Sequence, residues 1–298
     1  MNATAVDDRA SDRAEVPARV GVLGGGRMGA GIAHAFLLAG AEAAVVERDQ
    51  QSADAARARI LRAIEASIER GTTTLNVDTL APRLHVGVDL DVFAHVDLAV
   101  EAVPEDLVIK HEALSAVEAV LPADACIASN TSSLSIDDLA VVLARPERFL
   151  GLHFFNPVPA SLLVEVVTGT ATDPGLVSQA QAWVRALGKT PVTVSDAPGF
   201  ASSRLGVTLG LEAIRMLEDG VASAKDIDAA MVLGYKHPMG PLRLTDLVGL
   251  DVRLGVAEYL TDRLGPRFEP PELLRRLVAE GKLGRKTGQG FYTWDDPR

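Results

Sequence analysis

The stretch Val20-Gly-Val-Leu-Gly-Gly-Gly-Arg-Met-Gly29 decides the fold class. A short apolar strand runs into a glycine-rich turn with the spacing G-x-G-x-x-G, and a helical pattern follows at once. In such a turn the first glycine permits the tight bend, the second lets bare backbone approach a pyrophosphate, and the third lets the helix pack against the strand. The helix N-terminus adds free N–H groups and a positive dipole end. The predicted dinucleotide contacts are Gly24, Gly26, Arg27, Met28 and Gly29.

A second strand pattern, residues 43–47, strengthens this interpretation because it ends in an acid. Glu47 stands about 20 residues past the glycines, where a carboxylate can accept hydrogen bonds from the adenosine ribose. A carboxylate there repels a 2′-phosphate, which favours NAD over NADP. The neighbouring Arg48 can blunt that preference by pairing with such a phosphate.

Composition and charge exclude several classes of function. The 298 residues are 48% hydrophobic and 23% charged, which is typical of globular proteins. A net charge of −11 argues against a nucleic-acid partner. No apolar run reaches membrane-spanning length, so no membrane partner is expected. Residues 1–15 lack the apolar core of a secretory signal, and we predict a disordered lead-in there. The single cysteine, Cys126, indicates a reducing, cytoplasmic compartment.

Strand and helix patterns alternate up to residue 194 and then change character. Such alternation predicts a Rossmann-type, doubly wound, mostly parallel sheet, with its ligand crevice beyond the carboxyl ends of the strands. After residue 196 the patterns are helical, which predicts an all-α C-terminal domain. The predicted division is therefore a dinucleotide-binding domain over 16–195 and a helical domain over 196–298. The strand candidates are 18–23, 43–47, 83–87, 97–101, 125–129, 148–153, 163–167 and 191–194, and the later helix candidates are 200–219, 224–233, 241–264 and 271–280.

The six histidines show no metal-ligand spacing with one another or with Cys or Asp, so no metal is predicted. A dinucleotide loop without metal or serine-hydrolase motifs indicates hydride transfer, which needs a base to take the hydroxyl proton. His153 is the best candidate because it ends a predicted strand. Glu165 lies on the next strand pattern, where it can fix the imidazole tautomer if the two strands pair.

Polar residues 129–133, Ser-Asn-Thr-Ser-Ser, follow another strand and supply donors at the same sheet edge. The same residues can cap a following helix, and both interpretations can hold together. The segment with Arg57, Arg59, Arg62 and Arg70 is the best local basic patch for a phosphate-rich ligand in this acidic chain.

These motifs together resemble the 3-hydroxyacyl-CoA dehydrogenase family from about residue 18 to 294. The resemblance rests on the glycine loop, on Glu101-Ala-Val-Pro-Glu105 with Lys110, on residues 129–133 and on His153-Phe-Phe-Asn-Pro157. It continues through Val164-Glu165-Val166, Pro198-Gly199-Phe200, His237-Pro-Met-Gly-Pro241 and Gly288-Gln-Gly-Phe-Tyr292.

The resemblance implies an NAD-dependent enzyme that interconverts 3-hydroxyacyl-CoA and 3-oxoacyl-CoA. His153 would be the general base, Glu165 would orient it, and Ser132 would hydrogen-bond the substrate oxygen. On the cofactor side it implies Asn130, Ser132, Asn156, Glu105 and Lys110. Arg70 falls near a position where the family often carries a basic residue for CoA. The helical domain would close over the acyl chain and form most of a homodimer interface.

One departure from the family pattern concerns the substrate side. The family usually has Pro-Gly-Phe-x-x-Asn-Arg, whereas Ser203 takes the place of the asparagine here. Serine can still donate one hydrogen bond but reaches less far than an amide. Ser203 is therefore a candidate catalytic residue with a shifted, water-bridged or weakened contact.

Alternatives remain open on the sequence alone. The same scaffold can serve another 3-hydroxy substrate, such as 3-hydroxyadipyl-CoA, a carrier-protein-bound hydroxyacyl group, carnitine or a sugar acid. A different class is a non-catalytic NADH-binding protein, for which the Ser203 departure is the sole support.

Overall fold

The computed structural model describes residues 16–296, so the predicted lead-in over residues 1–15 lies outside the described residues. The chain divides between Asp196 and Ala197 into two compact units. The first unit holds a mixed sheet with flanking helices, and the second is helical.

The first unit is built on eight strands in the order β3-β2-β1-β4-β5-β6-β7-β8. All neighbouring strands run parallel except β6 and β7, which pair antiparallel. The order reverses between β1 and β4, which is the switch point where this architecture binds ligands. The strands are β1 Arg19–Leu23, β2 Glu42–Val46, β3 Leu84–Gly87, β4 Leu98–Glu101, β5 Cys126–Ser129, β6 Phe149–Phe154, β7 Leu163–Thr168 and β8 Thr190–Ser195. The predicted doubly wound, mostly parallel sheet is confirmed.

Helices cover the sheet because the central strands are apolar on both faces, as parallel strands buried on both sides require. Ile32 and Phe36 of α1, Ile60 and Ile64 of α2, and Trp183 of α6 pack into one core with the sheet. The helices of this unit are α1 Arg27–Leu38, α2 Gln50–Glu69, α3 Val77–Leu80, α4 Leu107–Val120, α5 Ile136–Ala140 and α6 Pro174–Ala186.

The second unit is a set of helices around its own apolar core. Its helices are α7 Ser202–Glu218, α8 Ala224–Ala229, α9 Pro241–Val248, α10 Leu250–Leu264 and α11 Glu272–Ala279. Ser223 caps α8 by accepting from the Asp226 N–H. The predicted single helix over 241–264 is wrong, because Gly249 adopts φ +106 and separates α9 from α10.

Two buried aspartates attach the last residues of the chain to this unit. Asp246 accepts from the backbone N–H groups of Phe291 and Tyr292, each at 2.9 Å. Asp228 accepts from the Tyr292 hydroxyl at 2.7 Å and from the Leu242 N–H at 2.8 Å. Burial raises the pKa of Asp246 above its usual range, although hydrogen bonds from Trp294, Phe291 and Tyr292 oppose that rise.

Candidate active site

The glycine turn after β1 has the geometry that a dinucleotide cradle needs. Gly24 has φ +93, and a Cβ there would lie 2.8 Å from the Ala102 carbonyl oxygen. A Cβ on Gly29 would lie 1.8 Å from the Gly24 carbonyl oxygen, so this position admits no side chain. Around Gly26 an added Cβ would meet nothing within 4 Å, which leaves the backbone accessible. Gly26 is also the N-cap residue of α1 and supplies no side-chain cap, so the first-turn N–H groups are available to a pyrophosphate.

Sequence reasoning missed two supports of this turn. Gly25 is also essential for packing, because a Cβ there would lie 2.4 Å from the Cβ of Ala56 on α2. Arg59 Nη1 donates to the Gly25 carbonyl at 2.6 Å, so this arginine supports the turn. Its place in the basic segment of α2 carried no signal for that contact.

Glu47 lies at the end of β2 beside the turn, where the ribose acceptor was predicted. Its Oε1 accepts from the Gly25 N–H at 2.7 Å, which draws the carboxylate toward the cradle. Arg48 is exposed, and its Nε lies 3.1 Å from Asp49 Oδ2. Asp49 in turn caps α2 by accepting from the Ser52 N–H. The structure therefore places Glu47 at the cradle and pairs Arg48 with a neighbouring carboxylate.

His153 and Glu165 face each other across the antiparallel pair β6–β7, in register. The distance from His153 Nδ1 to Glu165 Oε2 is 2.8 Å, and both side chains are buried. A carboxylate on Nδ1 fixes the tautomer in which Nε2 is the lone-pair nitrogen. The next residue, Phe154, donates its N–H to Asn130 Oδ1 at 2.9 Å, which ties the end of β6 to the loop after β5.

Glu105 organises the loop that carries Ser132. Its Oε1 accepts from Thr131 Oγ1 at 2.7 Å, from the Ser132 N–H at 2.8 Å and from the Ser133 N–H at 3.1 Å. The Ser132 hydroxyl lies 3.2 Å from the same oxygen. Burial raises the pKa of Glu105, but the Lys110 ammonium and these hydrogen bonds outweigh burial, and the pKa lies below its usual range.

Lys110 is placed behind Glu105 rather than on the surface. Its side chain is 1% exposed, and its Nζ lies 2.6 Å from Glu101 Oε1 and 3.4 Å from Glu105 Oε2. The sequence resemblance put Lys110 on the cofactor side, and the contacts show a lysine enclosed between two carboxylates.

Three further predicted residues have the following places in the fold. Asn156 is exposed in the loop after β6. Arg70 follows α2 and lines a cavity of about 690 Å³ together with His34, Ser67 and Lys189. Ser203 lies in the first turn of α7, in the second unit. The roles of all three stay predictions.

Two features are absent from the described residues. Between residues 16 and 296 no three His, Cys, Asp or Glu side chains group as they would around a metal ion. Over the same range no helix is both long and apolar enough to cross a bilayer.

The cradle lies at the switch point of a doubly wound sheet, and a carboxylate-braced imidazole lies near the carboxyl end of a strand of that same sheet. This combination defines the class of nicotinamide-dependent dehydrogenases, because hydride transfer from an alcohol needs a bound dinucleotide and a base together. Residues 19–197 match the model of the 3-hydroxyacyl-CoA dehydrogenase NAD binding domain, and residues 199–294 match that of its C-terminal domain. The chain belongs to the 3-hydroxyacyl-CoA dehydrogenase family and is an NAD-dependent oxidoreductase.

Relatives and solved structures agree with this assignment. The chain is 42% identical over 280 residues to 3-hydroxybutyryl-CoA dehydrogenase of Mycobacterium tuberculosis, covering 93% of this chain and 98% of the relative. It is 38% identical over 302 residues to human mitochondrial hydroxyacyl-coenzyme A dehydrogenase, covering 96% and 94%.

Among solved structures, M. tuberculosis FadB2 superposes with a TM-score of 0.89 at 42% identity, covering 94% of this chain and 100% of that one. The (S)-3-hydroxybutyryl-CoA dehydrogenase PaaH1 of Ralstonia eutropha gives a TM-score of 0.88 at 36% identity, covering 94% and 100%. The family named from the sequence motifs is therefore confirmed.

Proposed function

We propose that this chain catalyses the reversible, NAD-dependent oxidation of (S)-3-hydroxyacyl-CoA to 3-oxoacyl-CoA, with short acyl groups such as 3-hydroxybutyryl as substrates. The observation that carries the proposal is the 2.8 Å contact between His153 Nδ1 and Glu165 Oε2 at the ligand edge of the sheet. The names of the M. tuberculosis and R. eutropha relatives support the short acyl chain.

In this mechanism His153 Nε2 removes the proton of the 3-hydroxyl group, and Glu165 stabilises the imidazolium that forms. NAD, when bound, would supply the acceptor for the hydride that leaves carbon 3. Ser132, held by Glu105, hydrogen-bonds the substrate oxygen, and Ser203 is the candidate for a second contact. The glycine turn and Glu47 would hold the dinucleotide, and the Glu47 carboxylate would favour NAD over NADP.

The CoA moiety requires cationic groups in a chain of net charge −11. Arg70 and Lys189 line the same cavity of about 690 Å³, and its lining contains no acidic residue. Their charges support a role for Arg70 in holding phosphate groups of CoA.

We also infer a homodimer and a cytoplasmic location. On α9, Leu244, Leu247 and Val248 lie at helical spacing and are 37–43% exposed, and Val252 near the start of α10 is 48% exposed. An apolar stripe of this kind is typical of a surface that a second copy covers. The single, buried Cys126 supports a reducing compartment.

The test of the function is the substitution His153→Gln. We expect it to reduce kcat for acetoacetyl-CoA reduction at least about 100-fold, because general-base catalysis contributes on that order. The Kd for NADH, measured by fluorescence, should stay within about twofold, since the glycine cradle is unchanged. His85→Gln, an exposed histidine on β3, is the matched control and should retain wild-type rates. A His153→Gln variant with near wild-type kcat would contradict the mechanism.

Comparing kcat/KM on CoA thioesters of increasing length with that on free hydroxy acids tests the substrate class. Preference for a free acid would favour the carnitine or sugar-acid alternative. Tight NADH binding without any turnover would favour a non-catalytic protein, against which the buried His153–Glu165 pair argues.

A further inference from the structure

Glu101 is a buried glutamate at the carboxyl end of a central strand of the sheet, the side on which this architecture binds ligands. It is the last residue of β4, and its register partners are Leu23 of β1, immediately before the glycine turn, and Ser129 of β5. Its side chain is 1% exposed. It therefore lies at the switch point of the sheet, between the predicted dinucleotide cradle and the loop that carries Ser132.

The Glu101 carboxylate is fully engaged by protein donors. Oε1 accepts from Lys110 Nζ at 2.6 Å and from the Val103 N–H at 2.8 Å. Oε2 accepts from Ser129 Oγ at 2.5 Å. With both oxygens occupied and no solvent access, this group is suited to holding its neighbours in place rather than to exchanging protons with a substrate.

Two routes of contacts connect Glu101 with the Ser132 loop. In the first, Ser129 Oγ donates to Glu101 and accepts from the Thr131 N–H at 3.2 Å. In the second, Lys110 joins Glu101 to Glu105, whose Oε1 accepts from the N–H groups of Ser132 and Ser133. The Glu101 carboxylate thus supports the loop along two routes, one through Ser129 and the other through Lys110 and Glu105.

The charges explain why the arrangement needs Glu101. Lys110 is as buried as Glu101, and a buried ammonium requires an acidic partner. Its short contact is with Glu101, whereas its distance to Glu105 is 3.4 Å. Because Glu101 neutralises Lys110, the Glu105 carboxylate remains available to accept the donors of the loop. Without Glu101, Lys110 would draw Glu105 away from Ser132 and Ser133.

We propose that Glu101 is a positioning residue for catalysis, which sets the place of the Ser132 hydroxyl through Lys110 and Glu105 on one side and through Ser129 on the other. Its effect on turnover rests on the proposed function, whereas its effect on the loop does not.

The first measurement is the steady-state rate of Glu101→Gln with acetoacetyl-CoA and NADH. The amide oxygen can still accept from the Val103 N–H and the amide NH2 can donate to the Ser129 hydroxyl, but the side chain cannot neutralise Lys110. We expect kcat to fall roughly 10- to 100-fold, as for a reacting group displaced by about 1 Å. The NADH Kd should change less than about threefold.

Glu118→Gln is the matched control. Glu118 lies on α4, accepts from the N–H groups of Ala144 and Arg145, and pairs with the Arg145 guanidinium. It therefore performs the same kind of loop support away from the site, and its kcat should equal that of the wild type. Equal losses of kcat in both variants would overturn the proposal.

The second measurement is amide hydrogen exchange without substrate. In Glu101→Gln the N–H groups of Ser132 and Ser133 should exchange about tenfold faster or more, since their acceptor is displaced, while the Val22 amide of β1 is unchanged. Wild-type exchange at both serines would overturn the proposal whatever the substrate is. Faster exchange in a chain that does not act on acetoacetyl-CoA would refute the proposed function and leave the positioning role standing.

If Glu101→Gln does not fold, Glu101→Asp replaces it in both measurements. Aspartate retains the charge for Lys110 but withdraws the carboxylate by one methylene, so it cannot reach Lys110 and Ser129 together. We expect a folded variant with reduced kcat and faster exchange at Ser132 and Ser133. Wild-type values of both would overturn the proposal.

Discussion

At the scale of single residues, the departure from the family pattern at Ser203 leads to a prediction about catalysis. It lies in the first turn of α7, where the related motif usually has asparagine. A serine hydroxyl donates one hydrogen bond over a short reach, whereas an asparagine amide reaches further and offers two donors. If the side chain at this position donates to the substrate oxygen, serine and asparagine should differ in how well they stabilise the negative charge that develops there in the transition state.

Ser203→Asn should therefore increase kcat for acetoacetyl-CoA reduction several-fold, up to about tenfold, because a restored donor stabilises the transition state. The NADH Kd should remain unchanged. Ser202→Asn, one position earlier on the same helix, serves as the control and should not increase the rate. An unchanged or lower kcat in Ser203→Asn would show that this position makes no direct substrate contact.

At the scale of secondary-structure elements, the break between α9 and α10 depends on one backbone conformation. Gly249 has φ +106, and an added Cβ would lie 3.0 Å from Asp251 Oδ1. A second glycine, Gly255, lies within α10, where an added Cβ would meet nothing within 4 Å. The backbone conformation at position 249 therefore favours glycine, whereas position 255 has room for a side chain.

We expect Gly249→Ala to lower the free energy of unfolding by about 1–3 kcal/mol, because alanine is strained at positive φ. Gly255→Ala should raise it by about 0.5–1 kcal/mol, because alanine loses less backbone entropy in a helix. Urea titrations of the two variants and the wild type measure both changes. The same sign in both variants would contradict this account of the break.

The contact between α1 and α2 contains a buried histidine, His34, which should make the free energy of unfolding depend on pH. His34 is 2% exposed, and its Nε2 lies 3.0 Å from Ser67 Oγ. Burial, aided by the nearby Arg70 charge, lowers the pKa of His34 from 6.5 to about 4. The unfolded chain then binds a proton near pH 6.5, whereas the folded chain binds it near pH 4.

The stability from His34 is complete above pH 6.5 and is lost as the pH falls toward 4. Between pH 7.5 and 4.5 the wild type should lose about 2–3 kcal/mol more unfolding free energy than His34→Gln. Urea titrations at the two pH values measure the difference, with carboxylate effects common to both proteins. Parallel losses in the two proteins would mean that the imidazole protonates in the folded chain without penalty.

At the scale of the whole molecule, the apolar stripe on α9 and α10 predicts assembly. Light scattering should give a mass twice the 31.4 kDa of the chain. Val248→Glu places a charge on the stripe and should halve the measured mass. Val141→Glu, at a valine that is 73% exposed in the first unit, is the control and should leave the mass unchanged. A monomeric wild type, or a dimeric Val248→Glu variant, would refute this surface as the interface.

Most of the first unit was predictable because its signals are local. The glycine spacing, the apolar strand runs and the change of pattern after residue 194 each depend on neighbouring residues, and all eight predicted strands occur. The break at Gly249 was missed because a glycine inside an apolar helical pattern is compatible with a continuous helix until its φ angle is known.

The sequence by itself determined the glycine turn and the family. The turn is specified within ten residues, by the positions at which a side chain must be absent. It also supplied His153 and Glu165 as a pair, but only the antiparallel register of β6 and β7 brought them to 2.8 Å. The tertiary structure alone decided the position of Glu101. Its partners Lys110 and Ser129 come from a helix and a strand that follow it, and no sequence period encodes a contact among three separate elements.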